Sequence, residues 1–341
     1  MTAMTVNLGE RSYEIHIGKN LLNKAGELFN LDRRALILTD ENVPKEYSLT
    51  VAKCCKEAEI LTLASGEGTK SLAIFEQVLL KMVEMNMTRS DCLVAVGGGV
   101  IGDLAGFAAS SYMRGIDFYN IPTTLLAQVD SSIGGKTAVN LGGVKNIVGA
   151  FYQPKGVLID TETLKTLPER HYAAGLCEAI KMALCFDKEL FECFEEKDYC
   201  YIKENIEFYI TKALDIKRKV VESDEREKGL RKALNFGHTL GHGIESAGTL
   251  GELYHGECVS LGMLPFCSDE VKERLVSILT KVGLPTQYNG DLRKVIEFAT
   301  HDKKNTVGGC DAVFVERVGE CFFRMVSIED LEELAKRAYL S

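Results

Sequence analysis

The chain has 341 residues, 46% apolar and 26% charged, a composition too apolar for a disordered chain and a length too great for one small core. Its net charge of −9 excludes general attraction to nucleic acid, so any phosphate must be met by a local basic cluster. Eleven cysteines, scattered, odd in number and without a Cys-x-x-Cys pair, exclude a disulfide framework and a cysteine zinc site.

The first residues, Met-Thr-Ala-Met-Thr-Val, lack the basic-then-apolar pattern of a leader, and no apolar run is long enough to span a bilayer, so a cytoplasmic protein is expected. Residues 4 to 17 alternate as strands around a Gly-Glu-Arg turn, which predicts a hairpin. Ala35 to Thr39 reads as a buried parallel strand ending in Asp40-Glu41-Asn42. Leu72, Phe75, Val78, Leu79, Met82 and Val83 recur at helical spacing, predicting a helix over 72 to 87 before a strand at Cys92 to Val96. A helix at Ile101 to Ser111 and strands at Phe118 to Ile121 and Val157 to Asp160 continue the alternation expected of a mostly parallel sheet. After Leu167-Pro168 helices dominate: Glu169 to Phe186, Lys188 to Glu196, Asn205 to Glu222 and Thr239 to Ala247, with one late hairpin, Ala312 to Val315 and Cys321 to Met325, across Gly319. The expected fold is an α/β nucleotide-binding domain with a mostly parallel sheet over 1–160, followed by a mainly α-helical metal- and substrate-binding domain over 161–341.

Gly97-Gly98-Gly99-Val100-Ile101-Gly102-Asp103 follows a strand and opens a helix, with the G-x-G-x-x-G spacing that lets a pyrophosphate approach a helix amino terminus. In a standard dinucleotide fold that turn is the first of its kind in the chain; here several elements precede it, and a tight structural turn is the plainer alternative. If the ligand is a dinucleotide, its ribose is expected at Asp40 and Asn42. Ser65-Gly66-Glu67-Gly68-Thr69-Lys70 lies in a loop before a helix, as a phosphate site or a solvated cap would. Ile121-Pro122-Thr123-Thr124 ends a strand, at the edge where such sheets bind ligands. The stretch from Asp130 to Lys136, continuing to Asn140, Lys145 and Asn146, reads as a small-residue loop whose two lysines make the best local anion site.

In the second half, Glu178 and Lys181 lie three apart on one helix face among Leu176, Ala179, Ile180 and Met182: an ion pair that faces inward and offers a carboxylate to a metal, or a plain exposed pair. Arg231, Asn235, His238 and His242, spaced four, three and four apart, stack along one stripe if the segment is one helix, and such a stripe suits a polyanion. His238, His242 and His255, half of the six histidines, can also gather on a divalent metal.

These motifs occur in one order: Gly-Gly-Gly-Val-Ile-Gly-Asp, Ile-Pro-Thr-Thr-Leu-Leu-Ala-Gln-Val-Asp-Ser-Ser-Ile-Gly-Gly-Lys, Leu-Asn-Phe-Gly-His-Thr-x-Gly-His and His-Gly-Glu, joined by Glu-x-x-Lys and Asp-Lys-Lys. Over essentially the whole chain the sequence resembles the 3-dehydroquinate synthase family of sugar-phosphate cyclases. Ser65, Gly243 and Cys258 depart from commoner family residues without removing an implied ligand.

The resemblance implies a lyase of the shikimate pathway, in aromatic amino-acid and chorismate biosynthesis, with its active site between the two domains. The implied substrate, 3-deoxy-D-arabino-heptulosonate 7-phosphate, undergoes transient oxidation by NAD, loss of phosphate, reduction, ring opening and aldol closure. The implied ligands of a Zn2+ or Co2+ ion are Glu178, His238 and His255, which moves His242 from the metal to the phosphate side. Lys136, Asn146, Asn235, His242 and Lys304 are implied at the phosphate, with Arg114 donated by a neighbouring protomer of a homodimer. Arg231 and Lys217 match carboxylate-binding positions, Lys181 and Glu227 match polar groups at the reacting ring, and Asp130 joins the substrate set. NAD contacts are implied at Asp40, Asn42, Gly66, Glu67, Lys70, Gly99, Val100, Gly102, Asp103, Thr123, Thr124, Lys136, Lys145, Thr163, Leu164, Lys165 and Thr166. Rival readings are another cyclase such as 2-deoxy-scyllo-inosose synthase, against which Asn235 and the Lys217 and Arg231 pair speak, a metal-dependent polyol dehydrogenase, and a non-catalytic binding protein.

Overall fold

The computed structural model describes residues 1–248, 252–301 and 309–339, and divides into two units: Met1–Pro168 with Lys217–Glu222, and Glu169–Ile216 with Ser223–Ser341. The division falls at Pro168 rather than at 160. Gln128 donates to the carbonyls of Pro122 and Asp160 and to Thr163 Oγ1, tying the Thr161–Thr166 turn of 3-10 helix into the first unit.

The first unit is built on a seven-stranded sheet. Its strands are β1 (Thr2–Val6), β2 (Tyr13–Gly18), β3 (Arg34–Asp40), β4 (Glu57–Leu63), β5 (Cys92–Gly97), β6 (Asp117–Pro122) and β9 (Gly156–Asp160), in the order β1-β2-β9-β6-β5-β3-β4. β1 and β2 form the expected antiparallel hairpin, and every other pair is parallel. The apolar runs explain why. On β3, Leu36 and Leu38 join a cluster with Val78 and Met82 from the Leu72–Glu84 helix and Leu104 and Ala105 from the Gly99–Ser111 helix. Ala35 and Ile37 join a different cluster, with Leu21, Leu22 and Val51. Alternate residues of one strand thus enter separate cores, so both faces are buried and the strand must be apolar throughout. β4 and the Lys45–Ala52 helix lie outside the expected elements; Glu57-Ala-Glu-Ile-Leu-Thr-Leu carries two acids, as the edge position of β4 allows.

The Asp130–Asn146 stretch is not a loop. After a turn of π-helix at Ala127–Ser131, β7 (Lys136–Leu141) and β8 (Val144–Phe151) form a separate antiparallel hairpin. Gly142 and Gly143 connect them with φ of 61° and 81°, the positive pair that a two-residue hairpin turn demands. The flanking polar and small residues hid a strand whose alternate positions, Thr137 and Val139, are buried.

The second unit contains the expected helices Glu169–Phe186, Lys188–Glu196 and Ile206–Ser223 (through Ile216), together with His238–Ala247, His255–Met263, Asp269–Lys281 and Ile328–Tyr339. It also holds the expected late hairpin, β10 (Cys310–Arg317) and β11 (Glu320–Val326). No helix among the described residues is long and apolar enough to cross a membrane. The glycine of His-Gly-Glu has a packing role: a Cβ at Gly256 would lie 2.0 Å from the Ala174 carbonyl oxygen. Only glycine lets the His255–Met263 helix approach the Glu169–Phe186 backbone this closely, which brings His255 beside Glu178, one turn on from Ala174. Gly256→Ala is therefore expected to lower the urea unfolding midpoint, by roughly 1–3 kcal/mol of stability or more. Gly68→Ala, where nothing lies within 4 Å, serves as the near-neutral comparison in the same measurement.

Candidate functional site

The polar centre of the second unit is Glu178, in the middle of the Glu169–Phe186 helix and 0% exposed. Its Oε1 faces His238 Nε2 at 3.8 Å and His255 Nε2 at 3.7 Å, and Lys181, one turn on, pairs with Oε2. Beyond that ion pair, neither carboxylate oxygen has a hydrogen-bond partner. A buried carboxylate oxygen is costly to leave unsatisfied, and Oε1 facing two imidazoles offers, with them, donors that suit a divalent cation. The nitrogen-to-oxygen distances exceed the roughly 3.3 Å of neighbouring ligands on tetrahedral zinc by only a few tenths of an ångström. The residues fit a metal.

Each ring is held through its other nitrogen. His238 Nδ1 lies 3.1 Å from the Phe236 carbonyl oxygen, and His255 Nδ1 lies 3.2 Å from Glu245 Oε2. Burial pushes His238 well below the usual imidazole range, and the charges of Lys181, His255 and His242 push the same way. Burial would lower His255 too, but the bond to Glu245 and the Glu178 charge outweigh it and leave it raised. His242 is exposed, its ring centroid 5.2 Å from His238 and 5.7 Å from His255, and the three histidines offer ligand atoms within 4.8 Å of one another. Geometry alone therefore offers two donor sets, three imidazoles or Glu178 with two, sharing His238 and His255.

The polar stripe is not one helix. Leu230–Asn235 is a 3-10 turn, and Phe236 and a left-handed Gly237 (φ 78°) break it before the His238–Ala247 helix. Arg231, 1% exposed, donates to the Glu225 carbonyl, while its backbone N–H donates to Asp224. Asn235 Nδ2 donates to Glu227 Oε1 at 2.7 Å, and Lys181 Nζ donates to the Leu234 carbonyl, so this turn packs against the Glu178 helix. Lys304 lies outside the described residues.

In the first unit the carboxyl ends of β3, β5, β6 and β9 carry Asp40, Gly97, Pro122 and Asp160 at one edge of the parallel sheet, where α/β proteins bind ligands. Gly97-Gly98 leads into the Gly99–Ser111 helix, which has no side-chain cap, so its amino-terminal N–H groups are available to an anion. A Cβ at Gly99 would lie 2.9 Å from Ser131 Oγ, a buried hydroxyl without a partner. Thr123 N–H donates to the Gly97 carbonyl, and Thr124 Oγ1 accepts from Ala127 N–H at 3.3 Å. Asp40 Oδ1 accepts from Asn42 N–H at 2.9 Å; burial raises its pKa against the Asn42 and Val43 amides.

Residues from separate motifs meet here. Buried Lys70 donates to Asp103 Oδ2 at 2.6 Å and to Asn146 Oδ1, so Asn146 sits with the nucleotide set. Burial pushes the Asp103 carboxyl up, against the Lys70 charge. Glu67 Oε1 accepts from Asn140 Nδ2 at 2.8 Å, beside Gly66 with its φ of 97°. Val100 and Gly102 lie in the first turn of the glycine helix. Lys217 Nζ pairs with Asp130 Oδ1 at 2.6 Å and with the Asp130 carbonyl. Lys136 and Lys145 are exposed on β7 and β8. Arg114 is exposed, with a left-handed φ of 67°. Thr163 is committed internally, its hydroxyl donating to the Asp160 carbonyl and accepting from Gln128. Leu164 is buried, Lys165 pairs with Glu162, and Thr166 shares a hydrogen bond with Tyr47. Glu245 was missed in the sequence; its one signal is its position seven residues after His238, on the same helix face.

Family models described as the N-terminal and C-terminal domains of 3-dehydroquinate synthase match residues 60–174 and 175–305. A 3-dehydroquinate synthase of Ruminiclostridium cellulolyticum is 42% identical over 359 aligned positions, covering 100% of this chain and 99% of the relative. A 2-deoxy-scyllo-inosose synthase solved with carbaglucose-6-phosphate, NAD+ and Co2+ is 25% identical with a TM-score of 0.88, over 99% of this chain and 100% of that one. A 2-epi-5-epi-valiolone synthase of Streptomyces hygroscopicus with NAD+ and Zn2+ is 27% identical with a TM-score of 0.87, over 97% and 99%.

Proposed function

The chain belongs to the 3-dehydroquinate synthase family, and on that premise we propose that it converts 3-deoxy-D-arabino-heptulosonate 7-phosphate to 3-dehydroquinate and inorganic phosphate, as a carbon–oxygen lyase using NAD and one Zn2+ or Co2+ ion. The observation that carries the reading is the Glu178 carboxylate, fully buried, with Lys181 at Oε2 and with Oε1 faced by the Nε2 atoms of His238 and His255. The NAD+ and the Co2+ or Zn2+ of the two solved relatives support the cofactor assignment.

Glu178, His238 and His255 would hold the cation, and the Gly97–Asp103 turn with Asp40, Lys70 and Thr123 would hold the nucleotide. Bound there, the cation supplies the acidity that frees a substrate hydroxyl of its proton near neutral pH, and NAD supplies a hydride acceptor restored within each cycle. Lys181, held by Glu178 and the Leu234 carbonyl, keeps a positive charge where an alkoxide develops. Arg231 carries the fork that fits the substrate carboxylate. Asn235 and His242 meet the phosphate, and Glu227 orients Asn235. In the first unit, Lys136 and Lys217 carry the other groups assigned to the substrate, while Asn146, bonded to Lys70, goes with the nucleotide residues. The protein is read as a cytoplasmic homodimer, with Arg114 serving the neighbouring protomer.

The test is purified protein with NAD, Zn2+ and the heptulosonate phosphate. Inorganic phosphate and dehydroquinate are expected to appear in equal amounts with no net NADH absorbance, from a particle sedimenting at twice 37.6 kDa. Absence of phosphate release with turnover of glucose 6-phosphate overturns the substrate, steady NADH accumulation overturns the reaction, and a monomer mass overturns the dimer.

A further inference from the structure

We propose that Glu245 is a positioning residue for the metal site: its carboxylate accepts the Nδ1 proton of His255 and thereby fixes the ring with Nε2 towards Glu178. The inference rests on the metal reading above and extends it to a residue outside the ligand set.

Geometry separates Glu245 from a ligand. Its Oε2 lies 3.2 Å from His255 Nδ1, whereas Glu178 Oε1 lies 3.7 Å from Nε2 of the same ring. The two nitrogens of an imidazole point away from each other, so a carboxylate bonded at Nδ1 stands outside the sphere that Nε2 reaches. Glu245 is two turns along the helix that His238 begins, while His255 is the first residue of the next helix. One rigid element therefore carries a metal ligand at its start and the support for another near its end.

The two imidazoles are matched in arrangement but not in support. Both present Nε2 to the same oxygen, Glu178 Oε1. His238 is held by a backbone carbonyl, that of Phe236, which no substitution removes, and His255 by a side chain. Glu245 is 17% exposed at its side chain, sheltered enough for a charged hydrogen bond to resist competition from water. A carboxylate at the far nitrogen selects the Nδ1–H tautomer, leaves the Nε2 lone pair free and makes it a better donor.

The experiment reads metal rather than activity. Cation affinity is measured by chelator competition, with the Co2+ d–d spectrum as a report on coordination, for wild type, Glu245→Ala and Glu245→Gln. Loss of such a support weakens metal affinity by about 10–100-fold, which is the expectation for Glu245→Ala. Glu245→Gln keeps the volume and an acceptor oxygen but not the charge, and about tenfold or less is expected. It carries the test if the alanine variant fails to fold. Both variants, once saturated with Co2+, should give the wild-type spectrum and recover most turnover, which a general loss of structure would not allow. Wild-type affinity in both variants overturns the inference alone, as does an altered spectrum at saturation, which marks Glu245 as a ligand. A wild-type protein that takes up no stoichiometric cation overturns the metal reading and the inference with it.

Discussion

Glu178→Gln is expected to abolish stoichiometric cation binding and to lower phosphate release by roughly three orders of magnitude or more, since several kcal/mol of charge stabilisation leave with the metal. The substitution preserves shape, so packing cannot account for the loss. What changes is that one oxygen becomes an amide nitrogen carrying two protons and the negative charge is lost, so the group no longer attracts a cation. A cost in folding is also expected, because Lys181 keeps the Leu234 carbonyl but loses its counter-charge, and breaking a buried pair costs up to roughly 3–5 kcal/mol. Circular dichroism and bound metal per chain separate the two effects. A folded Glu178→Gln protein holding one tightly bound cation would exclude Glu178 from the ligand set and restore the three imidazoles.

The elements legible in the sequence are those whose signal is local. β3, β5 and β9 are apolar throughout because both faces are covered, and the Leu72–Glu84 helix shows its stripe because one face is. The hairpin at β10 and β11 announces itself through Gly319. What stayed hidden depends on distance in the chain or on a change of backbone. The Arg231 to His242 stripe fails because Gly237 takes a left-handed conformation between two helical turns, which spacing does not reveal. β7 is masked by glycines and polar residues that serve its two faces unequally. The contact of Lys70 with Asn146 spans 76 residues, so two motifs that read as separate anion sites prove to be neighbours. Glu178 and Lys181 were legible as a pair, but whether they faced solvent or core rested on the approach of the His255–Met263 helix, which the Gly256 backbone contact permits. Glu245 shows the same limit: its partner is a ring ten residues away, on the next helix.

His242→Ala is expected to lower phosphate release about 10²–10³-fold while leaving the cation bound. The variant decides between the two donor sets that share His238 and His255. In a three-imidazole site, removing His242 deletes a ligand and the metal should be lost. In a site of Glu178, His238 and His255, the inner shell is untouched, and what disappears is an exposed imidazole one turn away, the group proposed above to meet the phosphate. The burial of Glu178 favours the second: at 0% exposure its Oε2 meets Lys181, but its Oε1 faces only two imidazole Nε2 atoms, and a cation between them would offset the desolvation of that oxygen, whereas exposed His242 carries no such cost. The pH dependence adds an independent sign. Burial is the main cause of the depressed His238 pKa, but the positive Lys181, His255 and His242 add to it. Without His242 one of those repulsions is gone, so His238 takes up its proton at a higher pH than in the wild type. Because a metal needs the neutral ring, cation binding by the variant should begin to fail at a slightly higher pH as the solution is acidified. Bound metal measured across a descending pH series, alongside phosphate release at neutral pH, tests both statements. Loss of metal already at neutral pH would return His242 to the inner shell.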